Sequence, residues 1–135
     1  MITAKWVTLN ELKNIAKESK IGAGFFETST DTATQYIAAY ADGEFAGMGY
    51  LLPGGKSERV KKYAAVHDNY RRSGIGNLIF RMLIRRAYNA GYKSSVVFTP
   101  PEAVAFFIKL GYVTFGSHGG LVEMRRDGDV FGVCS

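Results

Sequence analysis

A glycine-containing turn in the middle of this chain joins a strand-like run to an amphipathic segment. The turn reads Arg71-Arg72-Ser73-Gly74-Ile75-Gly76-Asn77, and it lies between Val60–His67 and Leu78–Tyr88. Because its two glycines have no Cβ, the backbone can bend there and approach a ligand closely. The first amides of a helix have no intrahelical partner, and the helix dipole adds to their attraction for anions. The turn therefore predicts a cradle for a pyrophosphate, with Arg71 and Arg72 supplying positive charge beside it.

The length and composition are those of one folded domain, which we expect to span residues 1–135. An apolar fraction of 47% suits a hydrophobic core and argues against disorder. A single cysteine, Cys134, cannot form a disulfide within the chain, which favours a reducing compartment. The N-terminal residues lack a signal-peptide pattern, and no apolar run approaches the ~18 residues of a membrane span. We therefore expect a soluble, cytoplasmic protein without membrane association.

Positive charge is concentrated in the middle of the chain. Residues 56–126 carry 13 Lys and Arg against 4 Asp and Glu, whereas residues 1–55 carry 4 against 6. Such a basic region could attract nucleic acid, an acidic protein or a polyanionic cofactor. A solvated basic helix face is the alternative explanation for Arg81, Arg85 and Arg86.

The first half of the chain predicts a strand, a helix and three further strands. Ile2–Val7 has the pattern of a strand, and Thr8 and Glu11 have the spacing of a capping box for a helix that runs to about Lys20. Residues 21–34 are expected to form a loop.

Three consecutive antiparallel strands are then expected, and the first two are joined by the hairpin turn Asp42-Gly43. These strands are Gln35–Ala41, Glu44–Leu52 and Arg59–His67.

The second half predicts helix, strand, helix and a final strand pair. Gly91 and Gly111 are placed to end the two helices. Thr99 and Glu102 have the spacing of a second capping box, at the start of the second helix. The strands are Ser94–Thr99, Tyr112–Phe115 and Leu121–Arg125, with a turn at Gly116–Gly120.

One connection in this order determines the fold class. A helix between Arg59–His67 and Ser94–Thr99 implies a crossover, so these two strands are expected to be parallel neighbours. The remaining pairs should be antiparallel. The prediction is an α+β fold with a mixed, mostly antiparallel central sheet and helices on both faces.

Two common nucleotide-binding motifs do not fit the glycine turn. The dinucleotide fingerprint needs a third glycine three residues after the second, and that position is Ile79. A Walker A loop needs Lys and then Ser or Thr after its last glycine, whereas Gly76 is followed by Asn77. In addition, the turn follows an antiparallel run of strands, which neither of those folds provides.

Two segments carry a resemblance to a known family. Val66-His67-Asp68-Asn69-Tyr70-Arg71-Arg72-Ser73-Gly74-Ile75-Gly76 resembles the acetyl-CoA-binding motif of the GNAT superfamily of N-acyltransferases. Ala103-Val104-Ala105-Phe106-Phe107-Ile108-Lys109-Leu110-Gly111-Tyr112 is similar to the second signature of that family. The resemblance covers roughly Gln35–Arg125, and the order of elements matches as well.

The resemblance implies a GNAT-like N-acetyltransferase that uses acetyl-CoA as co-substrate and needs no metal. It implies direct attack by a primary amine of a small molecule, peptide or protein on the thioester, within a ternary complex. The strand ending at His67 would splay from Ser94–Thr99 and expose backbone groups to the pantetheine arm. The cofactor-binding residues implied are Ala65, Val66, Arg71, Arg72, Ser73, Gly74, Ile75, Gly76, Asn77 and Phe107.

The sequence departs from the family where a proton donor is expected. Phe107 occupies the position of the usual tyrosine acid. Either another hydroxyl substitutes, such as that of Tyr112, or the thiolate leaves unassisted, or the domain is a catalytically silent coenzyme A sensor or interaction module. The usual asparagine at the start of that helix is also replaced, in Thr99-Pro100-Pro101.

The general base has several candidates. Glu44 and Glu58 lie on or beside the antiparallel strands, where the family often places a base or a base-bound water. His67 could titrate near neutrality, although its position suggests a cofactor neighbour or a turn residue. His118 could reach the acceptor or be an exposed loop residue. No spacing of His, Cys, Asp and Glu indicates a metal site, and Cys134 is not expected to be a nucleophile.

The partner is expected to be an amine-bearing acceptor, and the protein a monomer or homodimer. The walls of the acceptor site are assigned to Phe25, Phe26, the hairpin at Asp42 and the loop Gly116–Gly120. The alternative is that the two phenylalanines anchor their own loop to the core. Nucleic acid is the weakest partner hypothesis.

Overall fold

The computed structural model describes residues 1–21, 28–53, 59–92 and 94–127. Four residues named in the sequence analysis lie outside the described residues: Phe25, Phe26, Glu58 and Cys134.

Seven strands and three helices follow one another in the described chain. The seven strands hydrogen bond in the order β1-β2-β3-β4-β5-β7-β6. The predicted α+β class with a mixed sheet is confirmed. The elements are β1 (Ile2–Val7), α1 (Leu9–Glu18), β2 (Gln35–Ala41), β3 (Glu44–Leu52), β4 (Arg59–Val66), α2 (Ile75–Asn89), β5 (Ser94–Thr99), α3 (Val104–Lys109), β6 (Val113–His118) and β7 (Leu121–Asp127).

The predicted parallel pairing of β4 with β5 is confirmed, and it is short. The pairs run from Arg59 opposite Ser94 to Lys61 opposite Val96. The other registers given for the sheet are antiparallel: β1 with β2, β2 with β3, β5 with β7, and β6 with β7. The crossover through α2 is what makes β4 and β5 parallel.

The chain forms two compact units. The first comprises Met1–Leu52 and Tyr63–Leu83, and the second comprises Pro53–Lys62 and Ile84–Ser135. β4 thus contributes its first residues to the second unit and its last residues to the first. A single domain over residues 1–135 stays a prediction.

In the first unit, β3 separates two helices. Met48 and Tyr50 pack in a core cluster with Leu12 and Ala16 of α1. Gly49 points the opposite way, where an added Cβ would lie 2.4 Å from Ile79 Cγ2 of α2. Because side chains alternate between the two faces of a strand, α1 and α2 lie on opposite faces of β3.

Local signals in the first half of the chain are confirmed. Thr8 caps α1, and its capping box with Glu11 is complete, with bonds of 2.9 and 3.1 Å. Asp42 and Gly43 have φ values of 50° and 84°, as the predicted hairpin requires. Ala41 and Glu44 face each other across this turn.

The second predicted capping box is wrong. Thr99 does not cap a helix, and its hydroxyl donates to the carbonyl of Pro100 at 3.2 Å. A 3₁₀ turn at Pro101–Ala103 starts after Pro100, and α3 begins only at Val104. The physical reason is that a residue before proline avoids helical angles. Pro100 precedes Pro101 and is therefore extended, with ψ 150°, so the helical segment starts only after Pro100.

The last predicted turn was too long. β6 extends to His118, and only Gly119 and Gly120 form the turn, with φ values of 57° and 86°. A register shift between Thr114 and Gly116 accommodates the glycine within the strand. A glycine in a strand commonly marks such an irregularity.

Candidate functional site

The glycine turn is fastened to the end of β4 by several hydrogen bonds. The His67 amide donates to the Ala46 carbonyl of β3 at 2.9 Å, and the Tyr70 amide donates to the His67 carbonyl at 2.8 Å. His67 Nδ1 accepts from the Asn69 amide at 3.3 Å, so His67 caps the 3₁₀ turn Asp68–Tyr70. His67 is therefore a turn residue in the structure, and its roles as cofactor neighbour or base stay predictions.

Backbone geometry in the turn suits an anion. Arg72 and Gly74 have φ values of 65° and 89°, and the Leu78 amide donates to the Gly74 carbonyl at 3.0 Å. The amides of residues 75–77 precede that first helical bond and therefore have no i−4 carbonyl in the helix. The first turn of α2 contains no acidic residue. The N-terminus of this helix consequently keeps its positive field.

The arginines beside the turn are arranged differently from each other. Arg71 Nη2 lies 3.1 Å from Asp68 Oδ1, and its Nε donates to the Val66 carbonyl at 3.3 Å. Its side chain therefore braces the turn while remaining 68% exposed. Arg72, in the left-handed conformation, is exposed. Both arginines are accessible to a polyanionic ligand.

Asn77 and Ser73 complete the turn through their side chains. Asn77 Oδ1 accepts from Arg81 Nε at 3.2 Å, one helical turn further on. The Ser73 hydroxyl donates to the Tyr70 carbonyl. These bonds order both ends of the segment, so a ligand would meet an arrangement that is already formed.

The backbone of Ala65 and Val66 leads into this turn. Both residues are half-buried and belong to the first unit. A Cβ added at Gly47 of β3 would lie 2.7 Å from the Ala65 carbonyl oxygen, so glycine is required for this close approach. The pairing of β4 with β5 runs only to Lys61, four residues before Ala65.

Glu44, a candidate base, lies at the start of β3 and contacts the 3₁₀ turn. Its Oε2 accepts from the Tyr70 hydroxyl at 2.9 Å, and its Oε1 lies 3.9 Å from Lys20 Nζ. The bond to Glu44 raises the pKa of Tyr70. All three side chains are solvent-accessible, and an exposed ion pair of this length contributes little stability.

Phe107 and Tyr112 belong to the second unit and pack together. Their rings meet edge to face at 5.5 Å, and Phe106 packs on Phe107 at 5.1 Å. Phe107 is 7% exposed and Tyr112 is 1% exposed. The aromatic signature of this segment therefore forms part of a core.

The Tyr112 hydroxyl is engaged within that core. It forms a 2.8 Å hydrogen bond with Ser95 Oγ and accepts from Lys62 Nζ at 3.4 Å. Burial raises the pKa of Tyr112 to about 12. Sequence reasoning did not identify Lys62, Ser95 or Arg126 as a cluster, because neither motif nor periodicity connects three residues on different strands.

His118 forms part of a charged chain on the last hairpin. His118 Nε2 lies 2.8 Å from Glu123 Oε1, and Arg125 Nε donates to Glu123 Oε2 at 2.7 Å. The Arg125 hydrogen bond is the main reason that the pKa of Glu123 is lowered. His118 remains 63% exposed and is oriented by a nearly buried carboxylate.

Neither a metal-binding cluster nor a membrane-spanning helix is found in the part of the chain that the structure describes. Within it, no group of three or more His, Cys, Asp and Glu residues is arranged to hold a metal ion. None of its helices combines the length and the apolar character needed to cross a membrane.

Comparisons with solved structures show which fold this is. The Thermoplasma acidophilum PaiA N-acetyltransferase in complex with coenzyme A is 12% identical and has a TM-score of 0.70, with 94% of this chain and 99% of that chain covered. The Escherichia coli ribosomal-protein-S18-alanine N-acetyltransferase is 15% identical, with a TM-score of 0.69 and coverage of 100% and 99%. A Sinorhizobium meliloti phosphinothricin acetyltransferase in complex with acetyl-CoA is 19% identical, with a TM-score of 0.68 and coverage of 95% and 89%.

Comparison with models of protein families identifies the family of this chain. No curated protein matches this chain significantly. The model of the acetyltransferase (GNAT) domain matches residues 32–114, which include the glycine turn and the Phe107 segment. This chain therefore belongs to the GNAT acetyltransferase family.

Proposed function

We propose that this protein is an N-acetyltransferase that transfers the acetyl group of acetyl-CoA to a primary amine. The acceptor belongs to a small molecule, a peptide or a protein, and transfer occurs by direct attack within a ternary complex. The observation that carries this proposal is the turn before α2, where left-handed Arg72 and Gly74 precede helical amides that have no i−4 carbonyl. Family membership and the coenzyme A complexes of two relatives support it.

In this proposal the pyrophosphate of acetyl-CoA binds the amides of Arg72, Ser73, Gly74, Ile75, Gly76 and Asn77. Arg71 and Arg72 add positive charge, and the backbone of Ala65 and Val66 pairs with the pantetheine arm. The absence of acidic residues from the first turn of α2 favours such a polyanion. Phe107 supplies apolar surface to the cofactor.

The reaction needs the amine nitrogen to form a bond to the acetyl carbonyl carbon while the carbon–sulfur bond breaks. The sulfur leaves as a thiolate, and the proton of the attacking amine passes to a base. Glu44 and Glu58 are the proposed base candidates, directly or through water. Glu44 is already hydrogen-bonded to Tyr70, so a Glu44 base would act next to the 3₁₀ turn.

Tyr112 is the proposed candidate for protonating the thiolate. Its hydroxyl is buried and bonded to Ser95, which favours the other alternative, in which the thiolate leaves without a side-chain acid. Coenzyme A thiolate is a tolerable leaving group, so the presence of Phe107 at the acid position is compatible with turnover.

Phe107 also motivates a second candidate function. A phenylalanine buried against Phe106 and Tyr112 donates no proton. A GNAT domain lacking its acid could therefore bind coenzyme A as a silent sensor or interaction module. Binding without turnover over a broad panel of amines would favour this function over the enzyme.

Calorimetric titration with acetyl-CoA, followed by a thiol-release assay with amines, tests the proposal. Gly74→Asp is expected to weaken acetyl-CoA binding at least tenfold, because it places a carboxylate at the pyrophosphate position. Gly91→Asp is the matched control, since Gly91 has a similar φ of 92° at the other end of α2. Equal affinities of the two variants would refute the placement of the pyrophosphate.

The same purified protein tests the nucleic-acid hypothesis. Salt-sensitive retention of nucleic acid that persists at saturating coenzyme A would support a separate basic surface. If coenzyme A instead displaces the nucleic acid, the basic residues that retained it are those that bind the cofactor.

A further inference from the structure

Lys62 is a buried lysine at the point where β4 leaves β5. Only 3% of the residue is exposed, and the pairing of the two strands ends at Lys61 opposite Val96. Lys62 is therefore the first residue of β4 beyond the parallel pairs. In the proposed function, the pantetheine arm pairs with Ala65 and Val66, further along the same strand.

The side chain of Lys62 contacts an aromatic residue of the second signature, within the second unit. Lys62 Nζ donates to the Tyr112 hydroxyl at 3.4 Å and lies 5.9 Å from the centre of the Tyr112 ring. The ring of Phe107, which occupies the usual acid position, packs on the same tyrosine at 5.5 Å. A group that can carry a proton therefore lies one ring away from the residue that cannot donate one.

The surroundings of Lys62 favour the loss of its proton. Its hydrogen bond to Tyr112 is the only one that it forms with described residues, and burial, followed by repulsion from Arg126, lowers its pKa to about 7. An alkyl thiol such as that of cysteine has an ordinary pKa of about 8.5. The Lys62 ammonium is therefore a stronger acid than a thiol, and proton transfer from it to a thiolate is favourable. Burying such a group is costly, and groups of this kind are typical of functional sites.

We propose that Lys62 protonates the sulfur of coenzyme A as it leaves, which is the role that Phe107 cannot fill. This inference rests on the proposed acetyl transfer. The acceptor nitrogen forms its bond to the acetyl carbon, the carbon–sulfur bond breaks with its electron pair on sulfur, and a proton moves from Lys62 Nζ to that sulfur. The surplus proton of the acceptor nitrogen passes to the base, and coenzyme A is released as the thiol.

A cavity next to Lys62 offers a route for the proton to return. It has a volume of about 10 Å³, is partly open to solvent, and is lined by Ser95 and by Tyr88 of α2 as well as by Lys62. This is roughly the volume that one water molecule needs. The neutral amine left after each turnover can therefore regain a proton from solvent.

The kinetics of Lys62→Met test this assignment. With the most active amine of the thiol-release panel, kcat is expected to fall on the order of a hundredfold at pH 6, while the KM for acetyl-CoA changes little. Lys109→Met, which removes an exposed lysine of the same unit, is the control and should keep the wild-type kcat. Lys62→Arg keeps the positive charge but holds its proton, so it should be as slow as Lys62→Met. A Lys62→Arg variant with the wild-type kcat would overturn the proposal.

The ratio of wild-type to Lys62→Met kcat separates proton donation from a structural effect. Ionisation of the acceptor and of the base affects both proteins and cancels in the ratio. The other titratable or charged groups around Lys62 are Tyr88, Tyr92, Tyr112 and Arg126, and phenol and guanidinium groups ordinarily titrate above pH 9. The ratio is therefore expected to fall towards one as the pH rises through about 7. A ratio that does not change between pH 6 and pH 9 would contradict proton donation by Lys62.

The same assay distinguishes failure of this inference from failure of the proposed function. A wild-type protein that binds acetyl-CoA but releases no thiol with any amine would overturn both. A wild-type protein and a Lys62→Met variant that release thiol at equal rates would overturn the role of Lys62 alone.

Discussion

Replacing Lys62 by methionine should stabilise this protein at neutral pH and remove a pH dependence. Lys62 is 3% exposed, and burial, followed by repulsion from Arg126, lowers its pKa from the ordinary value of 10.5 to about 7. Between these two values the unfolded chain binds a proton that the folded chain does not hold. The free energy of unfolding therefore rises with pH through this window, and the cost of burying the ammonium is present in full below pH 7. Methionine has a similar length and no charge to bury.

The expected size follows from the two pKa values. Linkage over pH 7 to 9.5 gives a rise of about 3 kcal/mol in the free energy of unfolding from this one group. Tyr112 acts in the opposite direction at higher pH. Its pKa is raised to about 12, so the unfolded state loses its proton first and stability falls above about pH 10. Measurements should therefore end at pH 9.5.

Urea denaturation of wild type and Lys62→Met at pH 7 and pH 9.5 provides the assay. The wild type should gain about 3 kcal/mol over this interval, whereas the variant should gain markedly less and exceed the wild type at pH 7. Lys109→Met controls for loss of a lysine from the surface. A wild type whose stability does not rise with pH, or a variant that is less stable than wild type at pH 7, would refute the reasoning.

Three further substitutions test other parts of the structure. Gly49→Ala places a Cβ 2.4 Å from Ile79 Cγ2, and we expect urea denaturation to show a loss of about 1–3 kcal/mol from overpacking; an unchanged midpoint would contradict the close contact with α2. Thr8→Ala removes the cap of α1 and should cost about 1 kcal/mol by the same measurement, while an equally stable variant would show that this cap is dispensable. Tyr112→Phe removes a buried hydroxyl that bonds Ser95 and should cost about 1–2 kcal/mol with kcat nearly unchanged; a hundredfold fall in kcat in a folded variant would instead identify Tyr112 as the acid.

Much of the fold could be predicted because its signals are local. The Asp42-Gly43 turn and the Thr8 capping box act over four residues, and both have the expected geometry. The predictions failed where neighbouring signals compete. Two consecutive prolines outweighed the capping potential of Thr99 and delayed α3 to Val104.

The candidate site, too, could be predicted only where its residues are adjacent in the sequence. The turn from Arg71 to Asn77 is a continuous segment, so its residues could be identified together from the sequence. The environment of Tyr112 could not, because Lys62 and Ser95 come from separate strands and form its hydrogen bonds only after these strands pair. Whether an aromatic signature residue offers its hydroxyl to a substrate or to the core depends on such distant partners.

The neighbouring residues Lys61 and Lys62 show what the local sequence pattern determines and what only tertiary packing determines. From the sequence alone, the strand Arg59–His67, the glycine turn and the following helix were predicted, because backbone propensity and helix-end chemistry act between adjacent residues. The two lysines look equivalent in that pattern. In the folded chain, the Lys61 ammonium lies 5.7 Å from the centre of the Phe98 ring, whereas Lys62 is buried with Arg126 and Tyr112. Alternation along a strand sends the two side chains to opposite faces, and only the packing of α2 and Tyr112 against one of those faces determines which lysine loses its water.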